Sequence, residues 1–254
     1  MLGSGSGGNA LLVESCGTRV LVEAGVPPTV LRARLAQLGV ALEEGATLDG
    51  ILVSHQHGDH FGQAAQLTAA FGAPLYLHPG VGAAAPGVER YIVGKPLRIG
   101  ALEIATTYVP HDTAQVAFRV DDGASAFGIA TDVGRVTGSL VALLAECDAA
   151  LVEANHCSEM LAFSEYPDSV KRRVGGGFGH LSNEQTAELA ARLVGSRLTR
   201  LWLGHLSRSN NTPARALEVV GERARRIDVA VVPGAEPVAL SIRMTRPRQL
   251  GLPF

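Results

Sequence analysis

The chain has 254 residues, 46% of them hydrophobic, and a formal net charge of −2: enough for a sizeable core, without the excess of basic residues that draws a whole protein to nucleic acid. It contains no run of about 18 apolar residues, which excludes a membrane-spanning helix, and it shows no secretory pattern at its start. Its three cysteines, Cys16, Cys147 and Cys157, lack C-x-x-C spacing and suit a reducing cytoplasm better than a disulfide framework.

In chain order, 10–14 and 19–23 read as a strand pair, and 29–38 as a helix opened by Pro27 and Pro28. The apolar run Ile51-Leu52-Val53 reads as a strand and 61–71 as a helix. Strands are predicted near Leu75 and over 97–105, 114–120 and 126–130, then a helix over 139–145. Another apolar run, 149–152, comes before His156. Ser182-x-x-Gln185 is a capping-box pattern and places a helix over 184–194; Thr212 before Pro213 caps another over 213–225. Late strands are expected at 229–232 and 238–242, and 244–254 reads as a loose tail after a single domain over 1–243. The repeated Gly-His-Leu-Ser is a short echo, not a repeat architecture. This pattern alone supports a mixed α/β class.

The chemistry concentrates in His55-Gln56-His57-Gly58-Asp59-His60, an H-x-H-x-D-H cluster just after a strand. In extended backbone, residues two apart point to the same side, so His55 and His57 can reach one cation together. Gly58 permits a turn, after which Asp59 and His60 start a helix and can face a second cation. Imidazoles with a few carboxylates suit zinc, manganese or iron, and no thiolate pair points to a structural zinc site.

The cluster resembles the signature of the metallo-β-lactamase superfamily. Gly3-Ser4-Gly5-Ser6-Gly7-Gly8-Asn9, Glu153-Ala154-Asn155-His156, Gly179-His180-Leu181-Ser182-Asn183 and Gly204-His205-Leu206-Ser207 with Asn210-Asn211-Thr212-Pro213 resemble its YycJ/WalJ-type branch along nearly the whole chain. The resemblance implies an αββα sandwich of two mixed sheets flanked by helices, with two divalent metal ions at one edge. It implies the ligand set His55, His57, Asp59, His60, His111, Asp132 and His205, with Asp132 bridging, and a bridging hydroxide as nucleophile. The cations outweigh the charges of Asp59, Asp132 and that hydroxide, which favours an anionic phosphodiester and its transition state. The branch is associated with 5′-to-3′ DNA exonuclease activity, so nucleic acid, and DNA in particular, is the expected partner. Asp59, Asp132 and His180 are the expected catalytic residues.

Ser6, Asn9, His156, His180, Ser182 and Asn183 are the expected substrate-binding residues. The Gly/Ser loop would read a terminal 5′-phosphate through its backbone N–H groups. His180, beside a helix N-terminus, and the basic Lys171-Arg172-Arg173 segment with Gly175-Gly176-Gly177 would hold a nucleic-acid backbone. Cys157 stands where the family usually has Asp, and Glu23 where Asp is more common. His78 reads as structural. The carboxylate that flavodiiron members place at the His57 position is missing, and Asp132 takes the place of the second-metal Cys of many β-lactam hydrolases. The interval from Asp132 to His205 is too short for a β-CASP insertion, and no ribonuclease Z arm is evident. Esterases of thioester or lactone type share the ligand pattern and stay open as the alternative to a nuclease, with ribonuclease action less favoured and a non-catalytic binding module disfavoured by the complete ligand set.

Overall fold

The computed structural model describes residues 1–40, 47–82, 87–234 and 236–241. Strand β1 (Leu11–Ser15) turns through Cys16 and Gly17, both at positive φ, into antiparallel β2 (Thr18–Val22). That geometry matches the twist of a two-residue hairpin and explains why Gly occupies the turn. The chain continues through helix α1 (Pro28–Gln37), with Pro at its first turn, to β3 (Gly50–Val53). Helices α2 (Gly58–Phe61) and α3 (Ala64–Phe71) follow, then β4 (Leu75–Leu77) and β5 (Val88–Arg90). These strands form a five-stranded sheet in chain order, parallel from β2 onward.

The second sheet starts with the hairpin β6 (Leu97–Ile99) and β7 (Leu102–Val109), then β8 (Gln115–Asp121) and β9 (Ala126–Ala130). After α4 (Gly138–Ala145) come β10 (Ala149–Glu153), α5 (Ser158–Phe163), α6 (Asp168–Val174) and α7 (Asn183–Leu193). Strand β11 (Arg200–Gly204), α8 (Pro213–Arg223) and β12 (Asp228–Val231) complete it. The order is β12-β11-β10-β9-β8-β7-β6, parallel from β9 to β12 and antiparallel elsewhere.

Three apolar layers hold the elements together. Val20, Val22 and Leu52 of the first sheet meet Ile104, Phe118, Ile129 and Leu151 of the second. Leu31, Leu35, Leu67 and Phe71 cover the outer face of the first sheet, against Ile51 and Val53. Leu140, Leu144, Leu189, Leu193 and Val220 cover the second, against Val152 and Leu203. Alternating strand residues feed opposite layers, and the result is the expected αββα sandwich. No helix among the described residues is long and apolar enough to cross a membrane.

Several predicted elements differ. The helix expected over 61–71 is two helices, because Gly62 closes α2 on Gly58 and Gln63 donates its N–H to Ala24 instead of continuing the ladder. The strand expected over 97–105 folds at Gly100-Ala101 into β6 and β7. The last long helix ends at Arg223 rather than 225. Val238 and Leu240 pack partly buried against the interior between the sheets without forming a strand; Ile242 and the expected tail lie outside the described residues. Strand β5 and helices α5 and α6 had no clear sequence signal.

Candidate metal centre

Every expected ligand follows the C-terminal end of a strand or lies in the short turn beyond it. The cluster 55–60 follows β3, His111 follows β7, Asp132 follows β9 and His205 follows β11. The carboxyl ends of parallel strands are where open sheets form their crevices, and here both sheets present them to one edge. Three residues reach the site on left-handed backbone: Glu23 (φ 69°), Asp132 (φ 56°) and His205 (φ 53°). Such a conformation costs about 1 kcal/mol or more for a residue with a Cβ and persists where the surroundings impose it. Gly25 is required by close approach, since a Cβ there would lie 1.8 Å from the Asp59 carbonyl oxygen.

The donor atoms converge in overlapping groups: His55, His57 and His111; Asp59, His60 and His205; and His55, His60 and Asp132. Most of these imidazoles engage one ring nitrogen with a protein partner and turn the other inward. His55 Nδ1 lies 2.9 Å from Ser54 Oγ, and its Nε2 is buried with no hydrogen-bond partner. His111 Nδ1 lies 3.1 Å from the Gly179 carbonyl, and its Nε2 meets His57 Nδ1 at 3.3 Å. His57 Nε2 is 3.1 Å from Asp112 Oδ1. His60 Nδ1 is 3.2 Å from Glu23 Oε2, and its Nε2 is 3.0 Å from Asp132 Oδ2. His205 Nδ1 is 3.3 Å from Glu153 Oε2, while its buried Nε2 lacks a hydrogen bond, 3.7 Å from Asp59 and 3.8 Å from Asp132. Buried polar atoms without partners are costly, and inward-facing imidazole nitrogens beside carboxylates are the donor chemistry of a divalent cation. The residues fit a metal centre, and outer carboxylates that orient ligating imidazoles are its usual support.

The electrostatics agree. Burial, reinforced by His60, His111 and His57, pushes His55 down to about 2, so it stays a neutral donor. Burial opposes charge on His205 too, but Asp132 and the hydrogen-bonded Asp59 and Glu153 outweigh it and push the pKa up to about 10. His60 is likewise raised, burial being outweighed by Asp132 and Glu23.

Glu153 is the residue that sequence reasoning missed. It is fully buried at the end of β10. One carboxylate oxygen accepts the N–H groups of Val133 (2.6 Å) and Leu181 (3.0 Å). The other meets His180 Nδ1 at 3.1 Å and His205 Nδ1 at 3.3 Å. Burial alone would raise its pKa; His180 and His205 hold it at about 2. The sequence showed it only as the first residue of the branch motif Glu153-Ala154-Asn155-His156, at the end of a strand-like apolar run, with no role attached. Asp112 lies beside His57 and Glu23 beside His60, at 3.1 and 3.2 Å, and Glu23 Oε2 also accepts the Ser54 N–H at 3.3 Å, so the longer acid at position 23 still reaches its loop.

A cleft of about 430 Å³ opens over the centre. It is lined by His57, Asp59, His111, Asp132, His180 and His205, with Gly5 and Ser6 on one rim and Tyr166, Arg173 and Arg208 among the others. Asn9 is buried beneath, accepting the Gly5 N–H at 2.8 Å and placing its amide 2.8 Å from His60 Nε2. Of the other expected binding residues, Ser182 caps α7 with the full capping box, and Asn183 pairs with Asn211; both are buried and outside the cleft lining. His156 is buried behind the cleft, and its backbone carbonyl accepts the Asn183 N–H at 2.8 Å. Asn155 lines the cleft and donates to the His205 carbonyl at 3.0 Å. His78 bonds the Ser54 carbonyl and the Gly80 N–H, a structural role.

Residues 18–206 match the beta-lactamase superfamily domain, and the chain belongs to the metallo-β-lactamase superfamily, in the branch that includes the exodeoxyribonucleases WalJ and YycJ. It is 30% identical over 243 residues to exodeoxyribonuclease WalJ of Streptococcus pneumoniae, covering 91% of this chain and 89% of that one. It is 30% identical over 221 residues to exodeoxyribonuclease YycJ of Bacillus anthracis, covering 83% of each. In structure it is similar to the metallo-β-lactamase fold protein YhfI of Bacillus subtilis, with a TM-score of 0.68, 16% identity, and coverage of 92% of this chain and 95% of that one. Zinc-bound PqqB of Methylobacterium extorquens has a TM-score of 0.64, 18% identity, and coverage of 94% and 98%. The protein is an enzyme, a metal-dependent hydrolase.

Proposed function

We propose that the protein is a dinuclear-metal exodeoxyribonuclease that degrades DNA from the 5′ end. The observation that carries the reading is two donor clusters, His55-His57-His111 and Asp59-His60-His205, linked by the group of His55, His60 and Asp132, beneath a cleft, in a chain 30% identical to exodeoxyribonucleases. His55, His57 and His111 would hold one cation and Asp59, His60 and His205 the other, with Asp132 between them. Zinc and manganese, and iron as a third choice, suit these donors. When bound, the cations lower the pKa of water and offset negative charge on a phosphodiester.

The chain's own groups supply the rest. Asp59, half-buried in the cleft lining, is placed to orient water and accept its proton. His180 also faces the cleft. Burial opposes its charge, but Glu153 and Asp132 outweigh that and raise its pKa, which favours the protonated imidazole. With Nδ1 bound to Glu153, Nε2 is the atom that delivers a proton to the departing oxygen. Gly5 and Ser6 on the rim would meet a terminal 5′-phosphate, which selects an end over an internal bond. The free thiols of Cys16, Cys147 and Cys157 agree with a cytoplasmic setting.

The test offers manganese- or zinc-loaded protein 5′-phosphorylated and 5′-hydroxyl DNA, single- and double-stranded, with RNA, a thioester and a lactone alongside. Stepwise loss from a labelled 5′ end, faster with a 5′-phosphate, is expected. Turnover of thioester or lactone with DNA left intact would favour the small-molecule esterase instead.

A further inference from the structure

We infer that the face built by α5, α6 and the loop to Gly179 is a shelf that grips unpaired nucleotides of the strand leading into the metal centre. The inference rests on the nuclease reading and adds where the strand is held. Among the described residues, Tyr108, Phe163, Tyr166 and Phe178 are the exposed aromatic side chains, and three of these four fall within 163–178. Phe163 is 85% exposed and Phe178 is 58% exposed. Rings so placed add nothing to the core, and clustered exposed apolar groups mark a contact surface.

This surface is continuous with the catalytic cleft. Phe178 directly precedes Gly179, whose carbonyl meets His111, and His180 follows. Tyr166 and Arg173 line the cleft beside His57, Asp112 and His180. Arg135, before α4, lies over the Phe178 ring at 5.1 Å, and its guanidinium donates to the Gly177 carbonyl at 3.4 Å. Charge is graded along α6: Asp168 stands in its first turn and Lys171, Arg172 and Arg173 in its last. Lys171 is committed to the Ala162 carbonyl at 2.7 Å, while Arg172 and Arg173 are both exposed, Arg173 leaning toward Asp112 at 3.8 Å.

Aromatic faces interleaved with guanidinium groups suit single-stranded nucleic acid, whose bases stack on rings while its phosphates meet cations. A duplex hides its base faces from such a surface. With a chain of net charge −2, attraction to a polyanion must come from local patches of this kind.

The experiment measures binding of a fluorescent, phosphorothioate-protected single-stranded oligonucleotide and of a blunt duplex to manganese-loaded protein. Phe178→Ala and Phe163→Ala should each weaken single-strand binding about tenfold, Phe178→Trp should preserve it, and duplex binding should change less than about twofold. Unchanged single-strand affinity in both alanine variants, or equal loss on strand and duplex, overturns the shelf. If the wild-type protein cuts DNA while either of those results is found, only the shelf falls; if it neither binds nor cuts DNA, the nuclease reading falls with it.

Discussion

At the scale of the residue, the outer carboxylates touch both the groups proposed to hold cations and the one proposed to move a proton. Glu153 joins both kinds, because its one oxygen lies against His180 and His205 together. His180→Gln should lower kcat on DNA by about 10²–10⁴-fold while bound metal, read by mass spectrometry, stays unchanged. Loss of metal in that variant would make His180 a ligand rather than an acid. Thiol chemistry gives an independent check. Burial pushes the Cys147 thiol up to about 12, and Cys157 is buried while Cys16 is exposed. Native protein at neutral pH should therefore react rapidly with a bulky thiol reagent at Cys16 alone, as peptide mapping would show. The 55–60 cluster stands out in the sequence because its spacing is local, whereas His111, Asp132 and His205, far apart in the chain, came only from the family resemblance. Glu153 was not, since nothing in one sequence reveals that a strand-end acid is fully buried between two distant imidazoles.

At the scale of the element, long apolar runs and caps were read well, and short pieces were not. The capping box of α7 rests on Ser182 accepting the Gln185 N–H at 3.2 Å. Ser182→Ala should destabilise the protein by about 1 kcal/mol in urea unfolding. No loss would mean that buried packing, not the cap, fixes this helix start. The break between α2 and α3 was invisible in the sequence because a tertiary bond, Gln63 N–H to the Ala24 carbonyl, ends the helix. Helices α5 and α6 carry no strong apolar period: Leu161 is the buried residue of α5, and α6 has none. Their exposed faces are the ones proposed to meet the strand, so the elements hardest to read are those freest of core packing.

For the whole molecule, the αββα architecture brings six strand ends from two sheets to one edge, and a cation held there would compete with protons for the same atoms. His205, pushed up to about 10, holds a proton at neutral pH that a cation must displace, and the raised pKa of His60 works in the same direction. Metal affinity should therefore rise with pH below about 10, by about tenfold per unit for each proton released, and fall on acidification. Zinc titrations at several pH values would check this, and a flat profile would contradict it. Asp132→Ala should lose metal and activity together, because Asp132 belongs both to the group with His55 and His60 and to one with Glu153, His180 and His205.

The most direct test is to strip the protein with a chelator and follow 5′-end DNA cleavage as manganese or zinc is titrated back. Activity that appears only with added cation and saturates near two equivalents per chain is the predicted result. Full cleavage by stripped protein, or saturation at a single equivalent, would contradict the dinuclear centre on which the proposed function stands.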